Sequence, residues 1–460
     1  LTFDEYINDL KNKKVTVIGL GVSNLPFVET LLHRGCRITA RDRRSMDELG
    51  EDGERLALLG ADFRLGEDYL EGLDEDVIFR TPGLLPFEEH LAAAKARGAV
   101  VTSEMEAFFA VCPCHVIAVT GSDGKTTTTT IISELMKAAG YTVHIGGNIG
   151  RPLFSDVPAM KHEDWAVLEL SSFQLHSMKC RPDVAVITNV SPNHLDKHPS
   201  YQDYVDAKSA IFTGQTADDK LVLNRADNET MYYGMMAKSS IAMFSRGIAV
   251  LNGVYSDGTS VFYSRSGKTE KIMDAAEIKL PGDHNLENYM AAFAATDGLV
   301  PGSVCREVAM SFAGVEHRLE FVREVRGVTY INDSIGTSPT RTSAGLKAMK
   351  TRPILIAGGY DKHIPFDGLG DDICRYCKSV FITGATADKI YEAVTHSKLY
   401  DPEKLPVTVM DDFTQTVEAA AKSAEAGDIV LLSPACAAFD KFKNFAERGK
   451  YFKQLVNSMK

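Results

Sequence analysis

The run VTGSDGKTTTTT, Val119 to Thr130, decides the fold. The apolar stretch His115 to Val119 before it reads as a buried strand. After it, Ile131, Ile132, Leu135, Met136 and Ala139 recur at helical spacing until Gly140 ends the pattern. A strand, a Gly-rich turn and a helix make an anion site. Backbone N–H groups from Gly121, Ser122, Asp123 and Gly124 through Lys125 to Thr127 point toward phosphates, Lys125 supplies a compact positive charge, and the Thr126 hydroxyl can ligate Mg²⁺. The stretch reads as a nucleoside triphosphate loop. Its two glycines stand closer together than in the general phosphate-loop pattern, which suggests a subfamily; the alternative is a Gly-rich turn with a surface lysine. Five consecutive threonines are poor helix formers, so something besides local propensity must favour a helix there.

At 460 residues the chain should form several domains, and its 44% hydrophobic content supplies ordinary cores. The patterning predicts an α/β protein of three domains, residues 1–111, 112–314 and 315–460. No apolar run approaches the roughly 18 residues of a membrane span, and LTFDEYINDLKNKK at the start is unlike a secretory signal. The expectation is a cytoplasmic, monomeric protein with no membrane partner. Eight scattered cysteines form no disulfide framework, and Cys374 and Cys377 make a lone C-x-x-C better read as incidental thiols than as a zinc site. A net charge of −12 disfavours nucleic acid, so an anionic substrate must be met by local basic groups.

Upstream, VTVIGLG (Val15 to Gly21) reads as a strand and tight turn. A helix with Leu25, Val28, Leu31 and Leu32 on one face follows, then a strand Arg37 to Ala40 that delivers Asp42. This βαβ unit has the outline of a dinucleotide fingerprint, but Asn24 stands at the third glycine position, which disfavours a tightly packed nicotinamide site. A strand Asp76 to Phe79 ends in Thr81-Pro82-Gly83, a loop at the sheet edge where open α/β sheets bind ligands. Downstream, Trp165 to Leu175 reads as a buried strand carrying Glu169, an acid that is costly there unless paired or bound to metal. A strand Val184 to Val190 leads into His194 and Asp196, and Lys208 lies in a helical stretch beside Val205, Ile211 and Phe212. Asp257-Gly258 marks a hairpin. A helix from His284 to Ala295 starts with Asn285 and Asn288, where capping by Asn285 would explain only one of the two amides. Five strands alternating with helices from Val328 to Leu432 predict another parallel sheet covered by helices.

Taken together, the glycine-lysine loop, ELSSFQL, NHLD, HNLEN, EHR, NDS and the tail LLSPACAAFDKFKNFAERG (Leu431 to Gly449) resemble the Mur ligases of bacterial cell-wall synthesis, in family order over nearly the whole chain. The resemblance implies a Rossmann-like N-terminal domain for the UDP substrate, a central P-loop ATPase domain with a mostly parallel sheet, and a Rossmann-like C-terminal domain for the amino acid. It implies ATP-dependent amide formation through an acyl phosphate, joining D-glutamate to UDP-N-acetylmuramoyl-L-alanine. Lys125 would hold the β/γ-phosphates. Thr126 and Glu169 would bind one Mg²⁺ and His194 would lie near a second. Asn148 and Asn288 match positions near adenine, Arg318 one near the phosphates and Asp333 one near the ribose. Lys208 matches a lysine carried as a carbamate, and an ammonium among apolar residues has reason to lose its proton.

For the UDP substrate, the resemblance points to Val22, Ser23 and Asn24, with Asp42 and Arg43 near the uracil, together with Thr81, Gly83, Asn148 and His194. For D-glutamate it points to Thr337, Lys362, Ala438, Phe439 and Phe445, with Lys362 as the cation for a carboxylate. Ile335 and Ala438 depart from the family's usual lysine and serine, which removes polar groups near the amino-acid pocket. Rival readings are another Mur ligase or a folylpolyglutamate synthetase with a different acceptor, a nicotinamide-dependent dehydrogenase built on GLGVSN, and a nucleotide switch without ligase chemistry.

Overall fold

The computed structural model describes every residue except Val22, residues 193–196, Pro281, Lys350, residues 362–364 and Lys460. The expected site residues Val22, His194, Asp196 and Lys362 therefore lie outside the described residues. The chain divides into two compact units, Leu1–Phe312 and Ala313–Lys460.

The first unit holds two sheets. The N-terminal one comprises β1 (Val15–Ile18), β2 (Ile38–Asp42), β3 (Asp62–Leu65), β4 (Val77–Phe79) and β5 (Val100–Thr102), all parallel in the order β3-β2-β1-β4-β5. Crossover helices such as Asn24–His33 cover it, as the run of apolar residues on both faces of β1 requires. The larger sheet comprises β6 (His115–Thr120), β7 (Val143–Gly147), β8 (Trp165–Glu169), β9 (Val184–Ile187), β10 (Lys220–Asn224), β11 (Ser240–Arg246), β12 (Gly253–Ser256), β13 (Ser260–Arg265) and β14 (Lys268–Asp274). Its order is β14-β13-β12-β11-β10-β9-β6-β8-β7, parallel except where β13 meets β12 and β14. The Asp257-Gly258 turn joins β12 to β13 as the hairpin its sequence demands. β6 lies between β8 and β9, so the turn after it opens at the carboxyl ends of the strands, flanked on both sides, where the crossovers diverge.

One apolar cluster runs through both sheets of this unit. Phe154, in the short helix Phe154–Ala159, packs its ring against Phe3 at 5.2 Å and edge-on to Phe27 at 4.7 Å, and Phe27 in turn meets Phe79 at 4.7 Å. Such aromatic pairs each contribute about 0.5–1.5 kcal/mol beyond area burial.

The second unit has the sheet order β15-β16-β20-β17-β18-β19, from β15 (Glu320–Val325), β16 (Val328–Asn332), β17 (Ile354–Ala357), β18 (Ser379–Ile382), β19 (Val407–Val409) and β20 (Ile429–Leu432). The five expected parallel strands are present. β15, antiparallel to β16 at the edge, was not expected, because its half-exposed residues carry a weak alternation. The thiols are free, and those of Cys374 and Cys377 are buried in an apolar cluster. No described helix is long and apolar enough to cross a membrane.

Two expected strands are shorter. The one through Glu169 stops there, because Ser171 and Gln174 form a reciprocal cap on a helical turn, Ser172–Leu175: Gln174 N–H donates to Ser171 Oγ and Ser171 N–H to Gln174 Oε1. The S-x-x-Q spacing carried that signal. The strand from Val184 ends at Ile187, where the backbone turns to meet the phosphate loop.

Candidate active site

Between β6 and the helix Lys125–Ala138 the backbone passes through Gly121 at φ 150° and Gly124 at φ 79°. A Cβ on Gly121 would stand 1.9 Å from Thr188 Oγ1, and one on Gly124 2.2 Å from Asn288 Oδ1. Close approach, as much as φ, requires glycine at both. The turn is pinned from β9's side: Ser122 N–H donates to Asn189 O at 2.9 Å, Asp123 N–H to Asn189 Oδ1 at 2.9 Å, and Thr188 Oγ1 to Asp123 O at 2.6 Å. Lys125 Nζ donates to Gly121 O and Ser122 O, each at 2.8 Å.

The threonine run is helical because its hydroxyls have tertiary and local acceptors. Thr126 donates to Glu169, Thr128 to Asn288 Oδ1, Thr129 to Lys125 O and Thr130 to Thr126 O. Thr126, Thr127, Thr128 and Thr129 are buried, so packing outweighs their weak propensity.

Glu169, at the end of β8, is 1% exposed. Its Oε2 accepts from Thr126 Oγ1 and its Oε1 from Asn148 Nδ2, both at 2.7 Å. A buried carboxylate held by neutral donors, next to a hydroxyl at a phosphate turn, is a hard-oxygen donor set that fits Mg²⁺. Asn148 is delivered by Gly147, where a Cβ would lie 2.1 Å from Glu169 O.

Lys208, in the helix Tyr201–Thr213, is buried; its Nζ donates to Gly121 O at 2.8 Å and lies 4.5 Å from the Tyr204 ring centroid. Burial first, and then the charge of Lys125, push its pKa well below the ordinary lysine value. The helix Asp283–Thr296 starts at Gly282, so Asn285 is not its cap; Asn285 and Asn288 are both buried within it.

At the N-terminal sheet, the Asn24 amide donates to Ile18 O and Gly19 O, which fixes the turn after β1. Asp42 accepts from Leu20 N–H at 2.7 Å and from Arg44. Burial pushes its pKa up, but the hydrogen bonds from Arg44 and Leu20 outweigh that and hold it below the usual value. Both side chains thus build the turn. Ser23 precedes the helix without capping it, and Arg43 is exposed beside Glu67. Thr81 closes against Gly19, where a Cβ would meet its side chain at 2.9 Å, and Gly83 borders open space.

In the second unit, Asp333 accepts from Ser433 Oγ at 2.7 Å and Leu319 N–H at 3.2 Å, and burial pushes its pKa up to about 6. Arg318 is exposed, and its charge acts on Asp333. Thr337 N–H donates to Ile335 O, Ala438 is buried, Phe439 is 64% exposed, and Phe445 opens the last helix, its carbonyl accepting from Ser334 Oγ.

The Mur ligase middle domain profile matches residues 119–296, and the profile described as Mur ligase, glutamate ligase domain, matches residues 317–436. The UDP-N-acetylmuramoylalanine--D-glutamate ligase of Acetivibrio thermocellus is 47% identical over 99% of this chain and 98% of its own length. This chain belongs to the Mur ligase family. The Clostridium novyi protein of the same name is 44% identical over 100% of this chain and 99% of its own. The UDP-N-acetylmuramate-alanine ligase from Thermotoga maritima shares the Mur ligase fold, with a TM-score of 0.56 at 16% identity over 97% of this chain and 100% of that one. The fold also extends to E. coli FolC in complex with ADP, with a TM-score of 0.52 at 17% identity over 75% of this chain and 90% of that one.

Sequence reasoning missed several residues that shape this Mur ligase. Thr188, Asn189 and Tyr204 hold the phosphate turn, yet nothing local marks them. Buried Arg448 donates to Ser334 O, Cys436 O and Ala437 O, fixing the turn before Ala438; its place in the quoted tail was the only signal. A further cluster joins His176 Nε2 and His198 Nδ1 to the Asp203 carboxylate, at 2.9 and 2.6 Å. It fits a hydrogen-bonded brace better than a metal site, because a metal on His176 Nε2 would move the ring proton to Nδ1, which is buried with no partner among the described residues.

Proposed function

We propose that this Mur ligase joins D-glutamate to UDP-N-acetylmuramoyl-L-alanine with ATP, releasing ADP and phosphate, in peptidoglycan synthesis, as a cytoplasmic monomer. The names of relatives matched over nearly their full length support the substrates. One observation carries the chemistry: the buried Glu169 carboxylate meets Thr126 at the mouth of the lysine-bearing phosphate turn.

A substrate carboxylate is a poor electrophile with a hopeless leaving group. Magnesium-bound ATP supplies a phosphoryl group that makes it an acyl phosphate; the D-glutamate amine then attacks the carbonyl and phosphate departs, leaving the amide. Lys125 and the backbone N–H groups at the start of the helix Lys125–Ala138 hold the phosphates and meet charge developing in transfer, whereas the Ser122 and Asp123 N–H groups, expected to share that task, are taken by Asn189. Thr126 and Glu169 would hold one Mg²⁺. His194 would lie near a second, with Lys208 as a carbamate helping to hold it. Support for the carbamate is the buried Lys208 amine, whose lowered pKa frees it to take up CO₂. Asn148 and Asn288 are assigned to adenine, Arg318 to the phosphates and Asp333 to the ribose. Val22, Ser23, Asn24, Asp42, Arg43, Thr81, Gly83, Asn148 and His194 are assigned to the UDP substrate, and Thr337, Lys362, Ala438, Phe439 and Phe445 to D-glutamate. The domain reading is 1–111, 112–314 and 315–460.

The test is ADP release with UDP-N-acetylmuramoyl-L-alanine, offered D-glutamate, L-glutamate or other amino acids in turn. Turnover only with D-glutamate is expected. Turnover without any amino acid, or with another one preferred, overturns the reading.

A further inference from the structure

Arg80 follows β4 and is fully buried; the Glu106 charge acts on it, but among the described residues no carboxylate hydrogen-bonds to its guanidinium. A buried guanidinium is costly unless its donors are met. Here Nε has no partner among the described residues, and the acceptors for Nη1 and Nη2 come from two places. Nη1 donates to Leu84 O at 3.0 Å, with longer approaches to Thr81 O at 3.4 Å and Pro82 O at 3.5 Å. Nη2 donates to Phe173 O at 3.1 Å and Ser177 Oγ at 2.7 Å. The first set is the Thr81-Pro82-Gly83 loop at the edge of the N-terminal sheet. The second is the helical turn Ser172–Leu175 and its exit, which follow directly on Glu169 at the end of β8 in the larger sheet. Ser177 Oγ also approaches Glu106 Oε2 at 3.4 Å, and Ser103 Oγ donates to the same oxygen at 3.1 Å, so the far end of the bridge is itself anchored.

We infer that Arg80 is a positioning residue that ties the 81–84 loop to the segment after Glu169, setting the distance between the bound UDP end of the substrate and the metal-holding carboxylate. This rests on the function proposed above. A planar fork directs separate nitrogens to the two sides at once; an ammonium carries its three donors on one atom and spans the two sides less well. The neighbouring contact of Thr81 with Gly19 carries the same constraint to the turn after β1, so both loops assigned to the UDP part move with Arg80.

The test uses Arg80→Lys, Ser177→Ala and the double variant, with two readouts. In steady-state ADP release, the KM for UDP-N-acetylmuramoyl-L-alanine should rise about tenfold in Arg80→Lys and roughly threefold in Ser177→Ala, with the KM for ATP within about twofold of wild type. Adding Ser177→Ala to Arg80→Lys should change little, because both remove one bond. Amide hydrogen exchange in the 81–84 loop should quicken in Ser177→Ala, which keeps the guanidinium buried and tests the bridge even should Arg80→Lys fail to fold. A lowered melting temperature with both KM values unchanged would mean a purely structural arginine and overturns the inference; so does unchanged exchange in the loop. Wild-type protein that fails to turn over this substrate, yet shows the exchange response, overturns the proposed function and leaves the bridge standing.

Discussion

Lys125 and Lys208, 83 residues apart in the chain, both donate to the Gly121 carbonyl oxygen, each at 2.8 Å. Two amines on one acceptor cannot both carry a proton cheaply; burial first, and then the Lys125 charge, lower the Lys208 pKa. Removing the Lys125 charge removes the second cause of that fall and leaves burial. Lys125→Ala should therefore move the midpoint for ¹³C-bicarbonate labelling of Lys208 to higher pH. The same variant should lower ADP-forming turnover by at least about a hundredfold while UDP-substrate binding persists. Normal turnover would remove the role given to Lys125.

The Thr126–Glu169 hydrogen bond gives two opposed expectations. Glu169→Gln should raise the Mg²⁺ concentration for half-maximal ADP release by roughly ten- to a hundredfold. In the metal-free protein it should leave the melting temperature equal or higher, because a buried charge becomes a neutral group of the same shape. Calorimetry with and without Mg²⁺ checks both signs; a large loss of metal-free stability would make Glu169 a structural acid.

Gly124→Ala would place a methyl 2.2 Å from Asn288 Oδ1 at a backbone φ of 79°. A loss of about 1–3 kcal/mol in urea unfolding is expected, with a raised KM for ATP. Adding Asn288→Ala should relieve the contact but not the backbone strain, so recovery should be partial.

Glu104, first residue of the helix Glu104–Val111, is buried, and burial pushes its pKa from the usual 4.5 to about 7. A raised carboxyl stabilises the fold fully below its unfolded pKa, and that contribution is lost as pH climbs through the folded one. Stability should fall between about pH 4.5 and 7 by up to roughly 3 kcal/mol, at about 1.4 kcal/mol for each pH unit between the two values. Glu104→Gln should flatten this part of the urea-unfolding profile; an unchanged slope would assign the dependence elsewhere.

What the sequence could determine was whatever depends on near neighbours. The strand–glycine–lysine–helix order, the apolar periodicity of each crossover, the Asp257-Gly258 hairpin and the five parallel strands of the second unit follow from backbone geometry and side-chain spacing within a few turns. Glu169 could be marked as needing a partner, since a lone acid in an apolar strand is costly wherever the fold puts it.

The partner itself, however, was a matter of tertiary structure. Thr126 and Asn148 reach Glu169 only because β6, β7 and β8 are neighbours in the sheet. The helix start at five threonines, the turn-building roles of Asn24 and Asp42, and the bridge made by Arg80 likewise depend on acceptors presented by other elements. Hydrogen bonds and desolvation act through space, and no spacing along the chain records which distant carbonyl a buried donor will meet.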